Sequence, residues 1–272
     1  MLDQYIVVGN PIAHSKSPFI HAQFAKQTSQ NLSYTSLQVG DNDFDIAVKN
    51  FIKQGGKGLN VTVPFKEQAW AIVNERSAEA EIAGAVNTIT IGAEGFLRGD
   101  NTDGVGLVND LTHNLAQNIK NKRVLVVGAG GAVRGVIGPL LKCQPSNIDV
   151  ANRTFAKAQA LAKIFSDQGV ISAKDFTELN GLQYDIVING TSASLSGEVV
   201  SIPEAVIKNA FCYDMMYSKA ETTFMVWAKK NGAGAVVDGL GMLVEQAAAA
   251  FNIWRGVNPE TQSVIAAVRE SF

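Results

Sequence analysis

The sequence predicts an α/β protein of two domains, and three observations carry that prediction. Strand-length apolar runs alternate with helical patterns throughout, as in parallel sheets covered by helices. At 272 residues the chain has room for two domains of ordinary size. Near its middle a β-branched run, Arg123 to Val127, is followed by Gly128, Gly130 and Gly131 and then by an apolar-periodic helix, so a second βα series opens there.

In the first half, strands are expected at Tyr5–Val8, Tyr34–Val39 and Gly58–Val63, then a hairpin-like pair at Val86–Ile91 and Gly95–Arg98. A helix is expected over Pro18–Gln27, with Ser17 as its N-cap and Pro18 at the first helical position. Asp43–Gln54 places Phe44, Ala47, Val48, Phe51 and Ile52 on one face, a core-facing stripe. Asn101-Thr102-Asp103-Gly104 interrupts the pattern, and a helix carrying Leu107, Leu111 and Leu115 leads into the polar segment Gln117–Lys122. Beyond the glycine turn, strands are expected at Asn147–Ala151, Asp185–Asn189, Phe211–Met215 and Ala235–Asp238, with a helix over Phe155–Phe165. Gly239 to Phe272 reads as a pair of helices.

Composition excludes several classes of function. With 23 basic against 25 acidic residues, nothing favours nucleic acid or an anionic membrane as partner. No apolar run approaches membrane-spanning length, and the chain opens on a strand without a basic leader, so a cytoplasmic protein is expected. Cys143 and Cys212 fall on a predicted helix and a predicted buried strand, as small core residues. His14, His21 and His113 are too scattered for a metal site.

The glycine turn points to a dinucleotide. Gly128, Ala129, Gly130, Gly131 and Ala132 let the backbone bend tightly and approach a pyrophosphate, whose charge meets the free N–H groups of the helix start. The sixth position of the fingerprint is Val133 rather than Gly or Ala, and that position governs helix–strand packing rather than phosphate contact. The next strand ends in Asn152, Arg153 and Thr154, with Lys157 one helical turn further on. NAD-binding folds usually carry Asp or Glu there, for the adenosine ribose. A carboxylate would repel a 2′-phosphate, whereas Arg153 can bind one through a charge-assisted fork worth about 1.5–3 kcal/mol. NADP is therefore favoured over NAD. The plain structural reading makes Thr154 an N-cap and Arg153 a solvated charge; the phosphate reading is favoured over it, and one hydroxyl position on Thr154 serves both a cap and a phosphate.

Four polar segments lie outside the cofactor unit: Gly9–Pro18, Asn60–Lys66, Gly84–Thr88 and Asp100–Asp103. Each is expected at or just after the C-terminal end of a strand, where open α/β sheets place ligands. Taken singly, each is explained by turn chemistry, capping or a surface lysine. Together their chemistry converges. Ser15 and Ser17 precede a helix start, so their hydroxyls and the helix N–H groups can hold a carboxylate. Thr62 and Asn87 suit sugar-like hydroxyls, and Lys66 with Asp103 supplies a base–acid pair. The inventory describes a site for a small polyhydroxylated acid.

With these residues in view, the chain closely resembles the NADP-dependent shikimate dehydrogenase family over essentially its whole length. The resemblance runs in order through GNPIAHSKSP, NVTVPFKE, GAVNTI, DNTDG, GAGGAVR, NRT, YDMMY and DGLGMLVEQAA. It implies an N-terminal α/β substrate domain (residues 1–102), a Rossmann-like NADP-binding domain (103–238), and C-terminal helices (239–272) returning to the substrate domain. By resemblance, Ser15 and Ser17 bind the substrate carboxylate. Thr62, Lys66, Asn87, Asp103 and Gln246 surround the ring hydroxyls, with Tyr217 close by. Gly128 to Ala132 cradle the pyrophosphate, Asn152, Arg153, Thr154 and Lys157 match the 2′-phosphate region, and Met215 and Gly239 match the nicotinamide end. Two departures concern backbone shape only: the segment Thr191–Ser194 carries serine where the family usually has glycine, and Thr223 stands where proline is usual.

The implied reaction is reversible, NADPH-dependent reduction of 3-dehydroshikimate to shikimate, a step of chorismate and aromatic amino-acid biosynthesis, by a monomer or homodimer. The carbonyl oxygen gains negative charge as hydride arrives and must gain a proton. Lys66 is assigned that transfer and Asp103 the orienting role, although a coupled pair shares its titration. Two other readings stand beside this one. The first is a quinate/shikimate dehydrogenase preferring NAD, against which the missing strand-end carboxylate and the paired serines argue. The second is a non-catalytic NADP-binding sensor, against which the presence of both Lys66 and Asp103 argues.

Overall fold

The alternation of strands and helices resolves into two six-stranded sheets in the computed structural model, which describes residues 2–272. Met1, at the edge of the expected substrate domain, lies outside the described residues. The chain forms two compact units, one running up to Gly106 and including Val244–Ser271, the other comprising Leu107–Leu243 with Phe272. Among the described residues no helix is long and apolar enough to cross a membrane.

The first sheet is built from β1 (Asp3–Gly9), β2 (Leu32–Gln38), β3 (Gly58–Val61), β4 (Glu75–Arg76), β5 (Thr88–Ile91) and β6 (Leu97–Asp100), in the order β2-β1-β3-β5-β6-β4. β1 runs parallel to β2 and β3, whereas β5 is antiparallel to both β3 and β6. The reversal has one decisive effect. The end of β3, the start of β5 and the end of β6 fall at the same edge of the sheet, with Asn60 opposite Thr88 and Thr88 opposite Asp100. Segment 84–88 therefore precedes a strand instead of following one, yet reaches the same edge as the other three polar segments.

Helices α1 (Ser17–Gln27) and α2 (Phe44–Lys53) follow the apolar patterns expected of them. On α2, Phe44, Val48 and Phe51 are buried in the core with Ile6, Val8, Leu59, Val61, Phe65 and Ile89, and Ala47 and Ile52 pack at its margin. Ser17 is not the N-cap of α1. Lys16 already has helical backbone angles, which leaves Ser17 in the first turn with Pro18 beside it, and no side chain caps the helix. Two short helices, α3 (Lys66–Ile72) and α4 (Ala78–Ala83), are too brief to show a period in sequence. Their ends are nevertheless chemically marked in α4: the Ser77 hydroxyl accepts from the Ala80 N–H, and Gly84 closes the helix at φ +59°.

The second unit opens within α5 (Asp103–Asn109), on which Leu107 is fully buried, and Leu111 in the turn that follows is buried too. Its sheet comprises β7 (Arg123–Val127), β8 (Asn147–Ala151), β9 (Ile171–Lys174), β10 (Ile186–Asn189), β11 (Phe211–Asp214) and β12 (Ala235–Asp238). All neighbours are parallel, in the order β12-β11-β10-β7-β8-β9, so the strand order reverses between β7 and β10. This is the doubly wound dinucleotide-binding arrangement, and its ligand position lies at that switch. Sequence patterning leaves β9 unassigned because its four residues are all half-buried, an edge strand with no apolar alternation.

Helices α6 (Gly131–Lys142), α7 (Phe155–Ile164) and α8 (Thr223–Lys230) follow their strands, and the chain ends in α9 (Leu240–Arg255) and α10 (Gln262–Glu270). Thr223 occupies the first position of α8, the place where proline is best tolerated, and Thr222 caps the helix by accepting from the Met225 N–H. Cys212 is buried in β11 and burial pushes its thiol up to about 12. Cys143 is only half-buried, at the C-cap of α6, instead of in the core.

Val133 can occupy the sixth fingerprint position because of a residue far away in sequence. It is fully buried, and a Cβ added to Gly190 would lie 2.3 Å from its Cγ2. The bulk missing from Gly190 is thus filled by the valine. Replacing Gly190→Ala is expected to destabilise by about 1–3 kcal/mol through overpacking, and Val133→Ala in the same chain to recover much of that loss. Thermal or urea unfolding of both single variants and the double variant measures the coupling; additive effects would contradict it.

His21 on α1 is 1 % exposed and stacks on Tyr34 at 4.1 Å, with Phe24, Phe251 and Trp254 around it. Neither ring nitrogen has a partner in hydrogen-bond geometry among the described residues. Burial pushes its pKa down to about 3, opposed more weakly by the Asn60 side chain. The folded chain therefore keeps this imidazole neutral where the unfolded chain would protonate it. Stability from this source is intact above pH 6.5 and is lost as pH falls toward 3, to a limit of about 5 kcal/mol at ~1.36 kcal/mol per pH unit. His21→Phe is expected to flatten that acid limb, as read from urea unfolding between pH 7 and pH 4. An unchanged limb would show that His21 does not govern it.

Candidate active site

In the first unit the polar segments form one connected structure. β1 and β3 lie side by side, and the Asn10 N–H bonds to the Val63 carbonyl at 3.0 Å, which ties the loop after β1 to the loop after β3. Ser15 and Ser17 lie on the first loop and its helix start, with the Ser17 N–H donating to Ser15 Oγ at 3.3 Å. Thr62 lies on the second loop, and its methyl sits so near Gly9 that a Cβ there would meet it at 2.5 Å.

Lys66 opens α3 and Asp103 opens α5. Lys66 Nζ donates to Asp103 Oδ2 at 2.6 Å, with side chains 23 % and 9 % exposed. Asp103 Oδ1 accepts from Asn87 Nδ2 at 2.8 Å, and the Asp103 N–H is held by Asn101 Oδ1 at 3.1 Å. A carboxylate at the first turn of a helix also gains from the backbone dipole. Both of its oxygens are thus engaged, one by an ammonium and one by an amide. The amine is left partly accessible, while its partner is fixed.

The orientation of Asn87 follows from who can donate. Its Oδ1 accepts from the Thr102 backbone N–H at 2.9 Å, a group that can only donate, so its Nδ2 must face Asp103. Gln246 on α9 reaches the same cluster, its Oε1 lying 3.5 Å from Asn87 Nδ2 and 3.4 Å from Thr102 Oγ1. Behind Asn87 the network continues into the sheet. Thr88 Oγ1 donates to Asn87 Oδ1 at 2.9 Å, Asn60 Nδ2 donates to Thr88 Oγ1 at 3.1 Å, and the Tyr34 hydroxyl donates to Asn60 Oδ1 at 2.6 Å. Asn60, Thr88, Thr102 and Tyr34 are not marked as site residues by the sequence reading. A signal existed for Asn60, since asparagine in a four-residue strand of otherwise buried positions demands hydrogen-bond partners.

In the second unit the glycine turn lies at the switch between β7 and β10. Gly128 has φ +117°, and an added Cβ would lie 3.2 Å from the Gly190 backbone. Gly130 caps α6 and Gly131 begins it, and a Cβ on either would meet nothing. No acidic residue stands in the first turn, so the helix start with Ala129 and Ala132 presents open, electropositive backbone. Beyond β8, Asn152 Nδ2 donates to the Thr154 carbonyl at 3.0 Å and shapes the turn. Thr154 occupies the N-cap position of α7 without a side-chain cap bond, so its hydroxyl is not used as a cap. Arg153, Thr154 and Lys157 are exposed, and neither cation makes an ion pair among the described residues. These features fit a phosphorylated dinucleotide.

Met215 and Gly239 follow β11 and β12, and a Cβ on Gly239 would lie 2.4 Å from the Met215 carbonyl oxygen. Tyr217, half-buried, is also in this unit, its ring 6.2 Å from that of Phe272. The segments on either side of these residues are anchored on Asp214. It accepts from Asn189 at 3.0 Å, Ser194 at 2.8 Å and Thr222 at 2.6 Å, and burial raises its carboxyl pKa. Ser194 thus has a structural bond that glycine could not make.

Comparison with known proteins agrees along the whole chain. Residues 7–89 match the shikimate dehydrogenase substrate binding domain, 110–215 the shikimate/quinate 5-dehydrogenase family, and 239–269 the shikimate 5'-dehydrogenase C-terminal domain. Shikimate dehydrogenase (NADP(+)) of Hahella chejuensis is 56 % identical over 270 residues, covering 99 % of each chain. The enzyme of the same name from Cellvibrio japonicus is 52 % identical, covering 100 % of this chain and 99 % of its own. Among solved structures, an Ael1 enzyme from Pseudomonas putida superposes with TM-score 0.94 at 42 % identity, covering 97 % of both chains. The shikimate 5-dehydrogenase of Thermus thermophilus, in complex with NADP(H) and shikimate, gives TM-score 0.89 at 31 % identity over 100 % of both. The chain belongs to the shikimate dehydrogenase family.

Proposed function

We propose that this chain catalyses the reversible reduction of 3-dehydroshikimate to shikimate with NADPH. The observation that carries the proposal is the Lys66–Asp103 contact of 2.6 Å, set in a cluster of amides and hydroxyls suited to a small polyhydroxylated acid. The relatives from Hahella chejuensis and Cellvibrio japonicus, both named shikimate dehydrogenase (NADP(+)), support it. When bound, NADPH supplies the hydride that reaches the C3 carbonyl.

In this reading Lys66 Nζ donates a proton to the oxygen that gains charge, and its neutral amine takes the proton back in the reverse direction. Asp103 orients the ammonium and binds a ring hydroxyl. Ser15 and Ser17 hold the substrate carboxylate, Thr62, Asn87 and Gln246 bind the remaining hydroxyls, and Tyr217 closes the set. Gly128, Ala129, Gly130, Gly131 and Ala132 hold the pyrophosphate. Arg153, Lys157 and Thr154 hold the 2′-phosphate beside Asn152, and Met215 and Gly239 border the nicotinamide. Apart from Asp103, Tyr217 and Gly239, residues 1–102 with 239–272 serve the acid and 103–238 serve NADP. The enzyme works in the cytoplasm, where thiols such as Cys143 and Cys212 stay reduced.

Mixing the purified chain with shikimate and NADP should generate the reduced-nicotinamide absorbance, faster than with NAD and faster than with quinate. No absorbance change with any of these pairs would leave only a nucleotide-binding role. Lys66→Ala is expected to lower turnover by about 10²–10⁴ while NADP still binds, and normal turnover in that variant would remove the assignment. Arg153→Ala should raise KM for NADP roughly tenfold or more without raising that for NAD, because only the former carries the extra phosphate.

A further inference from the structure

The site in the first unit is held by a chain of hydrogen bonds that all point one way. Tyr34 donates to Asn60 at 2.6 Å, Asn60 to Thr88 at 3.1 Å, Thr88 to Asn87 at 2.9 Å and Asn87 to Asp103 at 2.8 Å. The chain ends on the carboxylate oxygen that Lys66 does not use. We propose that Thr88 is a positioning residue for the proton-transfer couple, setting the Asn87 side chain that fixes Asp103 against Lys66. This inference rests on the functional reading given above.

Three features single out Thr88. It is fully buried, so it acts through its neighbours and not on a substrate. Its hydroxyl has one proton and two lone pairs, and here the proton goes to Asn87 Oδ1 while a lone pair takes the Asn60 amide. It therefore joins β3 to the start of β5, the two places from which the site is assembled. Asn87 Oδ1 also accepts from Thr102, through its N–H at 2.9 Å and its hydroxyl at 3.1 Å, so Thr88 is the donor that reaches this oxygen from a second segment and ties the amide to the sheet. Without Thr88, both remaining donors to this oxygen come from the single residue Thr102, which fixes which end of the amide faces Asp103 but lets the side chain shift with that one residue. Such a shift moves Nδ2, and with it the carboxylate that aims the ammonium.

Valine has the shape of threonine without the hydroxyl, so Thr88→Val tests the bond and not the volume. In the shikimate-oxidation assay its kcat is expected to fall about tenfold or more, since sub-ångström to ångström misplacement of reacting groups has costs of that order, while KM for NADP stays unchanged. Thr88→Ser, which keeps the hydroxyl and loses the methyl, is expected to restore most of kcat although it packs less well. A merely structural threonine would give the opposite pattern: the serine variant least stable by thermal unfolding, and the folded valine variant turning over at the normal rate.

Wild-type kcat retained in folded Thr88→Val overturns the inference. If that variant does not fold, the decision passes to Tyr34→Phe, which keeps the ring on His21 and removes the donor to Asn60. Lowered kcat at unchanged KM for NADP then supports the chain of donors, and unchanged kcat overturns it. A wild-type chain that oxidises no shikimate removes the functional reading and this inference with it, whereas an active wild type matched by its variants removes this inference alone.

Discussion

An ammonium and a carboxylate 37 positions apart in the chain meet at 2.6 Å, and the site in the first unit depends on how that pair is held. An ion pair removed from water gains little by itself, because desolvation offsets the attraction unless the remaining lone pairs are satisfied. Asp103 meets that condition through Asn87 Nδ2, the Asn101-supported backbone and the start of α5. Lys66 is held less completely and keeps part of its surface open, which is what a group that exchanges protons with a ligand requires. Rigidity on one partner and access on the other come from different segments.

The antiparallel placement of β5 makes this assembly possible. In an all-parallel sheet the start of a strand and the end of its neighbour lie at opposite edges. Here the reversal brings Asn87 and Thr88 to the edge where β3 and β6 end, so residues from 60 to 103 share one surface. Buried asparagines and threonines are costly in a sheet unless each donor finds an acceptor, and a one-way series of donors satisfies this without leaving an amide ambiguous.

The second unit solves a different problem, the close approach of backbone to a phosphorylated ligand. Gly128 takes a positive φ that other residues rarely adopt, and Gly130 and Gly131 leave open space above the start of α6. The tight helix–strand contact normally given by a small sixth residue is achieved here by Val133 against Gly190. The small residue has moved to the other side of the interface, and the spacing is preserved. Exposed Arg153 and Lys157, without ion-pair partners among the described residues, complement an added phosphate at the end of β8, where a carboxylate would oppose it.

The sequence by itself determined the class of fold, the register of apolar stripes such as that of α2, and the limits of β7, β8 and β12, because periodicity and turn chemistry are local properties. It also supplied the residue types of the site, since serine pairs, a strand-end arginine and glycine runs carry their chemistry in their composition. It left unassigned what has no local period: the short α3 and α4, and the half-buried edge strand β9. Only the tertiary structure decided that Ser17 lies inside its helix, that Thr154 spends no hydroxyl on capping, and that Asn60, Thr88 and Thr102 stand behind Asn87. Those facts depend on which strand lies beside which and in which direction. Pairing of that kind is set by the summed burial of many distant side chains, and no short window of sequence contains it.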